Sequence, residues 1–317
     1  MPAEPLQPVV PLGSGAAQQP IAPVALRLPP PLEELSDDRL AAAGIRLYLK
    51  RDDLISADIT GNKWRKLKYN LVAARSQGHD TLLTFGGAYS SHIRAVAAAG
   101  RHFGFASIGV IRGERHLPLN DSLRYAADCG MRLTYLDRTA YRLKDSTAVT
   151  ERLAAEYGSF YLLPEGGSNA LAVRGCAEIA AEVASAMAEP FDLICCPCGT
   201  GGTLAGLAAG LRPGQQALGF AVLKGAGFLD RQVKGLQQEA LGAATTNWSI
   251  SHEFHCGGYA RRPAELTDFI ADFERRHGMA LDWVYVAKML RGIFLLAQEQ
   301  AIRPGTTAVA LITGPAR

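Results

Sequence analysis

The stretch "DLICCPCGTGGTLAGLAAGL", residues 192–211, joins a hydrophobic run to a helix of small residues through a glycine-rich turn. A buried strand that leads straight into a helix is typical of α/β proteins with parallel sheets. Backbone N–H groups and two hydroxyls of the turn are suited to surround a phosphate. Because the turn lacks both the P-loop ending and the GxGxxG spacing, it indicates a monophosphate ester. The turn consists of Gly199, Thr200, Gly201, Gly202 and Thr203.

The same order of elements continues along most of the chain, where short apolar runs alternate with amphipathic stretches. This pattern predicts an α/β fold with mainly parallel sheets. Ligands of such folds bind where strands end and helices begin. Strands are predicted at residues 45–50, 81–85, 107–112, 132–136, 160–163, 192–197, 217–224 and 308–313. Helices are predicted at residues 63–77, 90–103, 119–129, 146–157, 170–187, 202–211, 263–277 and 284–299.

Length and charge limit the classes of function. The 317 residues are enough for one large domain or two smaller ones with a sizeable core. Charged residues make up 20% of the chain and the formal net charge is +3. This balance lacks the dense single-sign patch of a nucleic-acid or membrane-surface binder. We therefore expect a small ligand, no nucleic acid and no membrane partner.

Targeting and cysteine patterns indicate a cytoplasmic protein. No stretch reaches the roughly eighteen apolar residues that span a bilayer. The proline-containing residues 1–35 lack a secretory signal and are typical of an extended arm. The six cysteines do not resemble the disulfide framework of a short secreted domain. Cys195 and Cys198 have no second pair at zinc-finger spacing, which predicts no metal site and buried thiols at a strand end.

A lysine stands in an unusual position in "GNKWRK", residues 61–66. The preceding glycine and asparagine relax the backbone before a helix, so Lys63 falls in the first turn. The helix dipole disfavours a cation there. A neutral amine, as in a Schiff base with a carbonyl cofactor, resolves this conflict. A solvated cationic face is the alternative, and Arg65 and Lys66 are interpreted as ordinary surface charge.

Two further turns carry hydroxyl groups. In "FGGAYSSHIRAVAAAG", residues 85–100, Ser90 and Ser91 follow two glycines and open an apolar helix. This arrangement is suited to a substrate carboxylate, and a plain serine N-cap is the alternative. His92 is interpreted either as a site residue or as a satisfied histidine at the helix end. Thr313 follows a buried strand, so its hydroxyl either faces a ligand pocket or belongs to a routine strand end.

A lysine able to form an imine, a monophosphate cradle, a carboxylate cradle and a strand-end hydroxyl together indicate pyridoxal phosphate bound to an amino-acid substrate. From about residue 32 onward the sequence resembles the family of 1-aminocyclopropane-1-carboxylate deaminases and D-cysteine desulfhydrases. These enzymes have the tryptophan-synthase-β-like fold, type II among pyridoxal phosphate enzymes. The resemblance lies in the ordered motifs KRDDL, GNKWRKL, GGAYSSH, PEGGSN, GTGGT, FHCGGYA, LDWVYVAK and LITG.

The resemblance implies an architecture and an assembly. We expect two open twisted α/β domains with mainly parallel sheets and the cofactor in the cleft between them. The large cofactor-binding domain is expected at residues 1–68 and 176–317. The smaller domain, with the carboxylate loop, is expected as an insertion at residues 69–175. A homodimer is the usual assembly of the family.

The resemblance also assigns cofactor contacts. Lys63 is expected to be the Schiff-base lysine, residues 199–203 the phosphate site, and Thr313 the partner of the pyridine nitrogen. A neutral hydroxyl at that nitrogen suits elimination. Where the family commonly has Gln-Ser-Asn-His, this chain has Tyr-Ser-Ser-His at residues 89–92. The hydroxyl of Ser91 therefore replaces the amide that is expected to bond the cofactor's phenolic oxygen.

Substrate contacts follow from the same resemblance. Ser90 corresponds to the catalytic serine that binds the substrate carboxylate or transfers a proton. Tyr259 and Tyr285 correspond to two active-site tyrosines near the reacting carbons, with a structural role as the alternative. Val286 stands where cyclopropane-opening members carry glutamate and desulfhydrases usually threonine.

The sequence therefore predicts a pyridoxal phosphate enzyme that deaminates a small amino acid. The preferred reaction is α,β-elimination from D-cysteine or a related β-substituted amino acid, which gives an α-keto acid and ammonia. Ring-opening deamination of 1-aminocyclopropane-1-carboxylate is the alternative within the family. A cofactor-binding protein without catalysis and a nucleotide-binding module are the alternatives from other classes.

Overall fold

The computed structural model describes residues 24–316, so most of the predicted proline-rich arm lies outside the described residues. The strands in this part of the chain are β1 (Leu32–Leu35), β2 (Arg46–Lys50), β3 (Thr81–Gly86), β4 (Ala106–Arg112), β5 (Arg132–Leu136), β6 (Tyr161–Leu163), β7 (Leu193–Cys198), β8 (Gln216–Ala221), β9 (Trp248–Ser251) and β10 (Thr307–Leu311). The helices are α1 (Asp38–Ala42), α2 (Lys63–Ser76), α3 (Ser91–Phe103), α4 (Asp121–Asp128), α5 (Arg138–Arg142), α6 (Thr147–Tyr157), α7 (Ala170–Ala186), α8 (Gly202–Gly210), α9 (Phe228–Leu241), α10 (Ala264–His277) and α11 (Val286–Gln298).

The predicted strands and helices are confirmed, with ends shifted by three residues or fewer. The sequence interpretation missed β1, β9 and three helices, of which α9 is the longest. Leu229, Val233 and Leu236 of α9 recur at helical spacing and are buried, and the helix ends at Gly242 with a φ of +77°. The periodicity and the C-terminal glycine are the signals that would have identified this helix.

The first of two compact units comprises residues 67–167 together with residues 56–59 and the described residues 24–26. Its sheet has the strand order β5-β4-β3-β6, and all neighbouring strands are parallel. Leu83 and Phe85 of β3 and Val110 of β4 pack in one hydrophobic cluster with Tyr141 and Leu153 of the helical segments. The carboxyl end of β3 leads through two glycines to the serine pair of the predicted carboxylate cradle.

The second unit comprises residues 27–55, 60–66 and 168–316. Its six-stranded sheet has the order β1-β2-β10-β7-β8-β9, and β1 alone is antiparallel to its neighbour. Every residue of β10 is buried. Ala308 and Ala310 belong to one hydrophobic cluster, whereas Val309 and Leu311 belong to another. Since successive strand residues point to opposite faces, this sheet is covered on both faces.

The boundary between the units differs from the expected insertion at residues 69–175. The first unit ends at Gly167, and the segment from Ser168 onward joins the second unit. The reason is α7, which begins at Ala170. Val173 and Cys176 of this helix pack with Leu204 of α8 in one buried cluster.

Candidate active site

The glycine loop, residues 199–203, follows β7 and includes the first two residues of α8 in the second unit. Gly201 precedes the helix in the left-handed region, with a φ of +73°, and no side chain caps the first N–H groups of α8. A side chain at Gly201 would come within 2.7 Å of Val233, and one at Gly202 within 2.5 Å of Ser168 Oγ. The loop therefore requires glycine, and its N–H groups are left to bind an anion.

Hydroxyl groups and a buried cation surround the glycine loop. Ser168 Oγ lies 2.7 Å from Thr200 Oγ1, and Lys66 Nζ donates to Ser168 Oγ over 3.0 Å. A methyl group on Gly202 would lie 3.2 Å from Lys66 Nζ. Burial lowers the pKa of Lys66 below its ordinary value. An anion at the loop would offset the cost of burying this amine.

Asn62 joins three of the predicted turns. Its backbone N–H donates to the Thr313 carbonyl over 3.1 Å, and its Nδ2 donates to Thr203 Oγ1 over 2.9 Å. Gly61 has a φ of +62°, and any side chain there would overlap the Thr313 carbonyl. Lys63, which follows Asn62, is half-buried and begins α2. The structure thus brings the turn that precedes Lys63 together with Thr203 and Thr313 within the second unit.

The interpretation of Arg65 and Lys66 as surface charge is wrong, because Arg65 is only 1% exposed and Lys66 only 3%. Arg65 makes two hydrogen bonds to Asp52, of 2.6 and 2.8 Å, and two of 2.8 Å to Glu182. Lys50 Nζ lies 3.0 Å from Glu182. Burial alone would lower the pKa of Arg65, but the two carboxylates raise it above its ordinary value. This charge network fixes the first turn of α2, and its partners lie too far along the chain for a local pattern to reveal.

The two predicted tyrosines form a pair beside the glycine loop. Tyr285 OH donates to Tyr259 OH over 3.4 Å, and the rings meet edge to face with centroids 6.0 Å apart. A methyl group on Gly199 would lie 3.3 Å from Cε1 of Tyr285. The Asp282 carboxylate accepts hydrogen bonds of 3.2 Å from the backbone N–H groups of Val284 and Tyr285. The chain itself therefore fixes Tyr285 at the loop.

The predicted serines lie in the first unit. Ser90 is the N-cap of α3, and its Oγ accepts hydrogen bonds from the backbone N–H groups of His92, over 3.2 Å, and Ile93, over 3.4 Å. Ser91 is the half-buried first residue of the helix. The capping interpretation of Ser90 is thus confirmed. Its binding of a carboxylate, and the contact of Ser91 with the cofactor, stay predictions.

His92 has a structural role that sequence reasoning left open. Its Nε2 lies 2.9 Å from Thr84 Oγ1, and this hydroxyl donates to the Leu163 carbonyl over 2.9 Å. Because the threonine proton is used in that bond, Thr84 accepts from Nε2–H of His92. A side chain on Gly167, whose φ is +67°, would come within 2.8 Å of the imidazole. His92 therefore connects the start of α3 to β3 and to the PEGGSN motif.

The cysteines of β7 are buried, as predicted. Burial raises the pKa of the Cys195 thiol. A hydrogen bond with Cys198, followed by burial, raises the pKa of Cys196. The thiols of Cys195 and Cys196 therefore stay neutral and pack in the core. Among residues 24–316, no group of three or more metal-binding side chains occurs, and no helix in that range has the length and hydrophobicity to cross a bilayer.

Comparisons with known proteins identify the family of this chain. The sequence profile of the family described as "Pyridoxal-phosphate dependent enzyme" matches residues 27–314. A D-cysteine desulfhydrase of Salmonella choleraesuis is 31% identical over 288 residues, which cover 84% of this chain and 85% of that protein. The mitochondrial bifunctional D-cysteine desulfhydrase/1-aminocyclopropane-1-carboxylate deaminase of Arabidopsis thaliana is 30% identical over 269 residues, covering 79% and 67%.

A solved structure agrees along nearly the whole chain. The crystal structure of an ACC deaminase homologue superimposes with a TM-score of 0.80 at 28% identity and covers 92% of each chain. The two mainly parallel α/β sheets therefore form the type II fold predicted from the sequence. This chain belongs to the family of pyridoxal-phosphate dependent enzymes, and its cofactor is pyridoxal phosphate.

Proposed function

We propose that this enzyme deaminates a small amino acid by α,β-elimination, with D-cysteine or a related β-substituted amino acid as its substrate. For D-cysteine the products would be pyruvate, ammonia and hydrogen sulfide. The observation that carries this proposal is the pair of hydrogen bonds from Asn62, the residue before Lys63, to Thr203 of the glycine loop and to Thr313. The names of the relatives support the substrate class.

The residues of the second unit fit pyridoxal phosphate. The uncapped start of α8 and the buried amine of Lys66 suit a phosphate group. Ser168 and Thr200 would add hydroxyl donors. Asn62 Oδ1 is buried without a hydrogen-bond partner among the described residues, so the amide still has capacity for a ligand next to Lys63. These residues would hold the phosphate and direct the aldehyde toward the lysine.

Different side chains of the protein would carry out different steps of the reaction. Bound pyridoxal phosphate supplies an aldehyde for the substrate amine and a ring that withdraws electrons from the α-carbon. Lys63 would hold the cofactor and then move a proton at the α-carbon. The Tyr285 and Tyr259 hydroxyls would protonate the departing sulfur, and Ser90 would bind the carboxylate. Thr313, a neutral hydroxyl, would leave the ring nitrogen unprotonated, which favours elimination.

Ring opening of the cyclopropane substrate is less favoured by this chain. Val286, next to Tyr285, is fully buried in the hydrophobic cluster of α11. It has no polar atom where ring-opening members of the family carry a carboxylate. A second proton-transferring group is therefore absent from that position. Association into a homodimer and a cytoplasmic location stay predictions.

The substrate proposal is tested by keto-acid release from the cofactor-loaded enzyme. D-cysteine and 1-aminocyclopropane-1-carboxylate are supplied in parallel, and pyruvate and 2-oxobutyrate are separated by chromatography. We expect pyruvate from D-cysteine and no 2-oxobutyrate from the cyclopropane. Release of 2-oxobutyrate at a comparable rate would contradict the interpretation of Val286.

The role of Lys63 is tested by Lys63→Ala, which is expected to abolish turnover and the visible absorbance of the lysine-bound cofactor. Lys68→Ala removes a half-buried lysine from the same helix and is the matched control. We expect the control to retain both signals. Full turnover by the Lys63→Ala enzyme would overturn the assignment.

A further inference from the structure

Lys288 is a buried lysine in the first turn of α11 that the proposed chemistry does not use. Lys288 is fully buried, and its Nζ donates a hydrogen bond to the Gly258 carbonyl over 2.6 Å. A cation near a helix N-terminus is unfavourable, and burial adds a further cost. Burial lowers the pKa of Lys288, while Cys256 and Asp282 oppose this shift. The stability of α11 therefore does not explain a lysine at this position.

The segment that Lys288 contacts has an unusual backbone. Four residues lie in the positive-φ region: Cys256 at 51°, Gly257 at 85°, Gly258 at 120° and Ala260 at 51°. Two of them carry side chains, and this conformation is sparsely populated for such residues. A strained segment persists when its surroundings hold it in place. We call residues 256–260 the tyrosine loop, because Tyr259 lies within it.

Cys256 packs in the hydrophobic cluster that includes Met289 and Leu290 of α11, whereas the backbone hydrogen bonds of the tyrosine loop are mostly local. The Gly258 carbonyl accepts the backbone N–H of Arg261 over 3.2 Å in addition to Lys288 Nζ. The backbone N–H of Gly258 donates to the His255 carbonyl over 3.0 Å. The bond from Arg261 and the bond to His255 are local to the segment. Lys288 provides the hydrogen bond that ties Gly258 to a distant helix.

The same helix region fixes the other member of the tyrosine pair. Asp282 binds the backbone N–H of Tyr285, three residues before Lys288. Tyr259 follows Gly258 directly and is 39% exposed, so its own packing restrains it weakly. The distance between the two hydroxyls, 3.4 Å, is at the long end for a hydrogen bond. A small displacement of the tyrosine loop would separate the pair.

We propose that Lys288 is a positioning residue, whose buried amine holds the Gly258 carbonyl and thereby sets the Tyr259 hydroxyl against Tyr285. This inference rests on the proposed function, in which the tyrosine pair acts on the substrate. The amine donates its hydrogen bond in either protonation state, so the requirement is for a donor at this position. In this proposal Lys288 acts through Tyr259 and not directly on the substrate or the cofactor.

The test compares Lys288→Met, which is unbranched and cannot donate, with Lys288→Gln, which is of similar size and keeps an N–H donor. In the cofactor-loaded enzyme, Lys288→Met is expected to lower kcat for D-cysteine by about tenfold to a hundredfold, because a misplacement of about 1 Å costs this much. KM and the cofactor absorbance should change little. Lys288→Gln is expected to recover part of the lost kcat. Equal loss in both variants would overturn the donor role.

A double-mutant cycle shows whether the effect passes through Tyr259. In a Tyr259→Phe background the Lys288→Met change is expected to lower kcat by no more than about twofold, since the two residues act as one unit. The same loss in both backgrounds would overturn the proposal. It would indicate that Lys288 only supports the fold.

Hydrogen exchange separates this inference from the proposed function, because it does not depend on turnover. Lys288→Met is expected to increase amide exchange in residues 254–262 of the loaded enzyme, and Lys288→Gln should increase it less. Unchanged exchange would overturn the positioning role even if activity falls. If exchange increases while Tyr259→Phe keeps full kcat, the positioning role of Lys288 is supported and the proposed catalytic role of Tyr259 fails.

Discussion

Helices α3 and α8 both follow parallel strands, but only α3 has a side chain that accepts hydrogen bonds from its first N–H groups. Helix α3 starts behind Ser90, whose hydroxyl accepts hydrogen bonds from two backbone N–H groups. Helix α8 starts behind Gly201 in the left-handed conformation, and no side chain caps it. A capped helix end gains stability from the chain alone. An uncapped end leaves its donors to water or to a ligand.

This difference determines which ligand groups the N-termini of α8 and α3 are suited to bind. At α8, close packing of Gly201 and Gly202 prevents the chain from supplying its own cap, so a phosphate can take that place. At α3, the Ser90 oxygen already accepts two N–H groups, and its hydroxyl proton remains available for donation. The first end is suited to bind an anion through the backbone. The second is suited to offer one proton to a carboxylate.

Breaking the uncapped end should have the largest effect. Gly202→Ala would place a methyl group 2.5 Å from Ser168 Oγ and 3.2 Å from Lys66 Nζ. Overpacking costs about 1–3 kcal/mol, and if this cost falls on cofactor binding, the Kd for pyridoxal phosphate would rise by roughly fivefold to 150-fold. Titration of the apoenzyme, followed by cofactor absorbance, measures this change.

The matched control is Gly235→Ala in α9, where a methyl group meets no atom within 4 Å. This substitution should leave cofactor affinity unchanged and raise helix stability by about 0.5–1 kcal/mol. Wild-type affinity of the Gly202→Ala enzyme would contradict the assignment of the glycine loop to the phosphate.

Removing the cap should have an intermediate effect. Ser90→Ala deletes the acceptor for two N–H groups, which should cost about 1 kcal/mol of stability. It should also raise KM for D-cysteine if the hydroxyl binds the carboxylate. Urea unfolding and steady-state kinetics measure the two effects. Asp137→Ala is the control, because Asp137 caps α5 by accepting from two N–H groups in the same unit. A KM that rises equally in both variants would indicate a general loss of stability.

The smallest expected effect is a pH-dependent change in stability. It distinguishes the carboxylate cap of Asp137 from the hydroxyl cap of Ser90. Hydrogen bonds from the backbone N–H groups of Ala140 and Thr139 lower the pKa of Asp137 below its ordinary 3.8. Because the folded-state pKa is lowered, this cap stabilises the protein above pH 3.8 and loses its contribution as the pH falls through the folded pKa. The stability difference between wild type and Asp137→Ala should therefore shrink as the pH falls below 3.8 and on through the lowered folded-state pKa. The Ser90→Ala difference should persist, and urea midpoints at each pH measure both.

The sequence predicted the sites that depend on local order. The strand, glycine and helix of residues 192–211 determine the glycine loop, and Gly61 with Asn62 determines the turn at Lys63, so both could be inferred from neighbours in the chain. The burial of Arg65 could not, because its partner Glu182 is 117 residues away. The contact between Lys288 and Gly258 is likewise invisible locally, since it depends on how a loop with positive φ meets α11.

Strand β10 has a consequence for the order in which the protein can form during synthesis. It lies in the middle of the six-stranded sheet, between β2 and β7, and Thr307 pairs with Arg46. Most of the described chain lies between these partners, so β2 emerges from the ribosome long before its neighbour β10 exists. The four-stranded sheet of the first unit draws on the continuous segment 67–167 and can form earlier. The turn before Lys63 is hydrogen-bonded through Asn62 to the Thr313 carbonyl, so it can acquire its final geometry only after Thr313 has been made. We therefore expect a nascent chain that can fold its first unit while it still has no cofactor site.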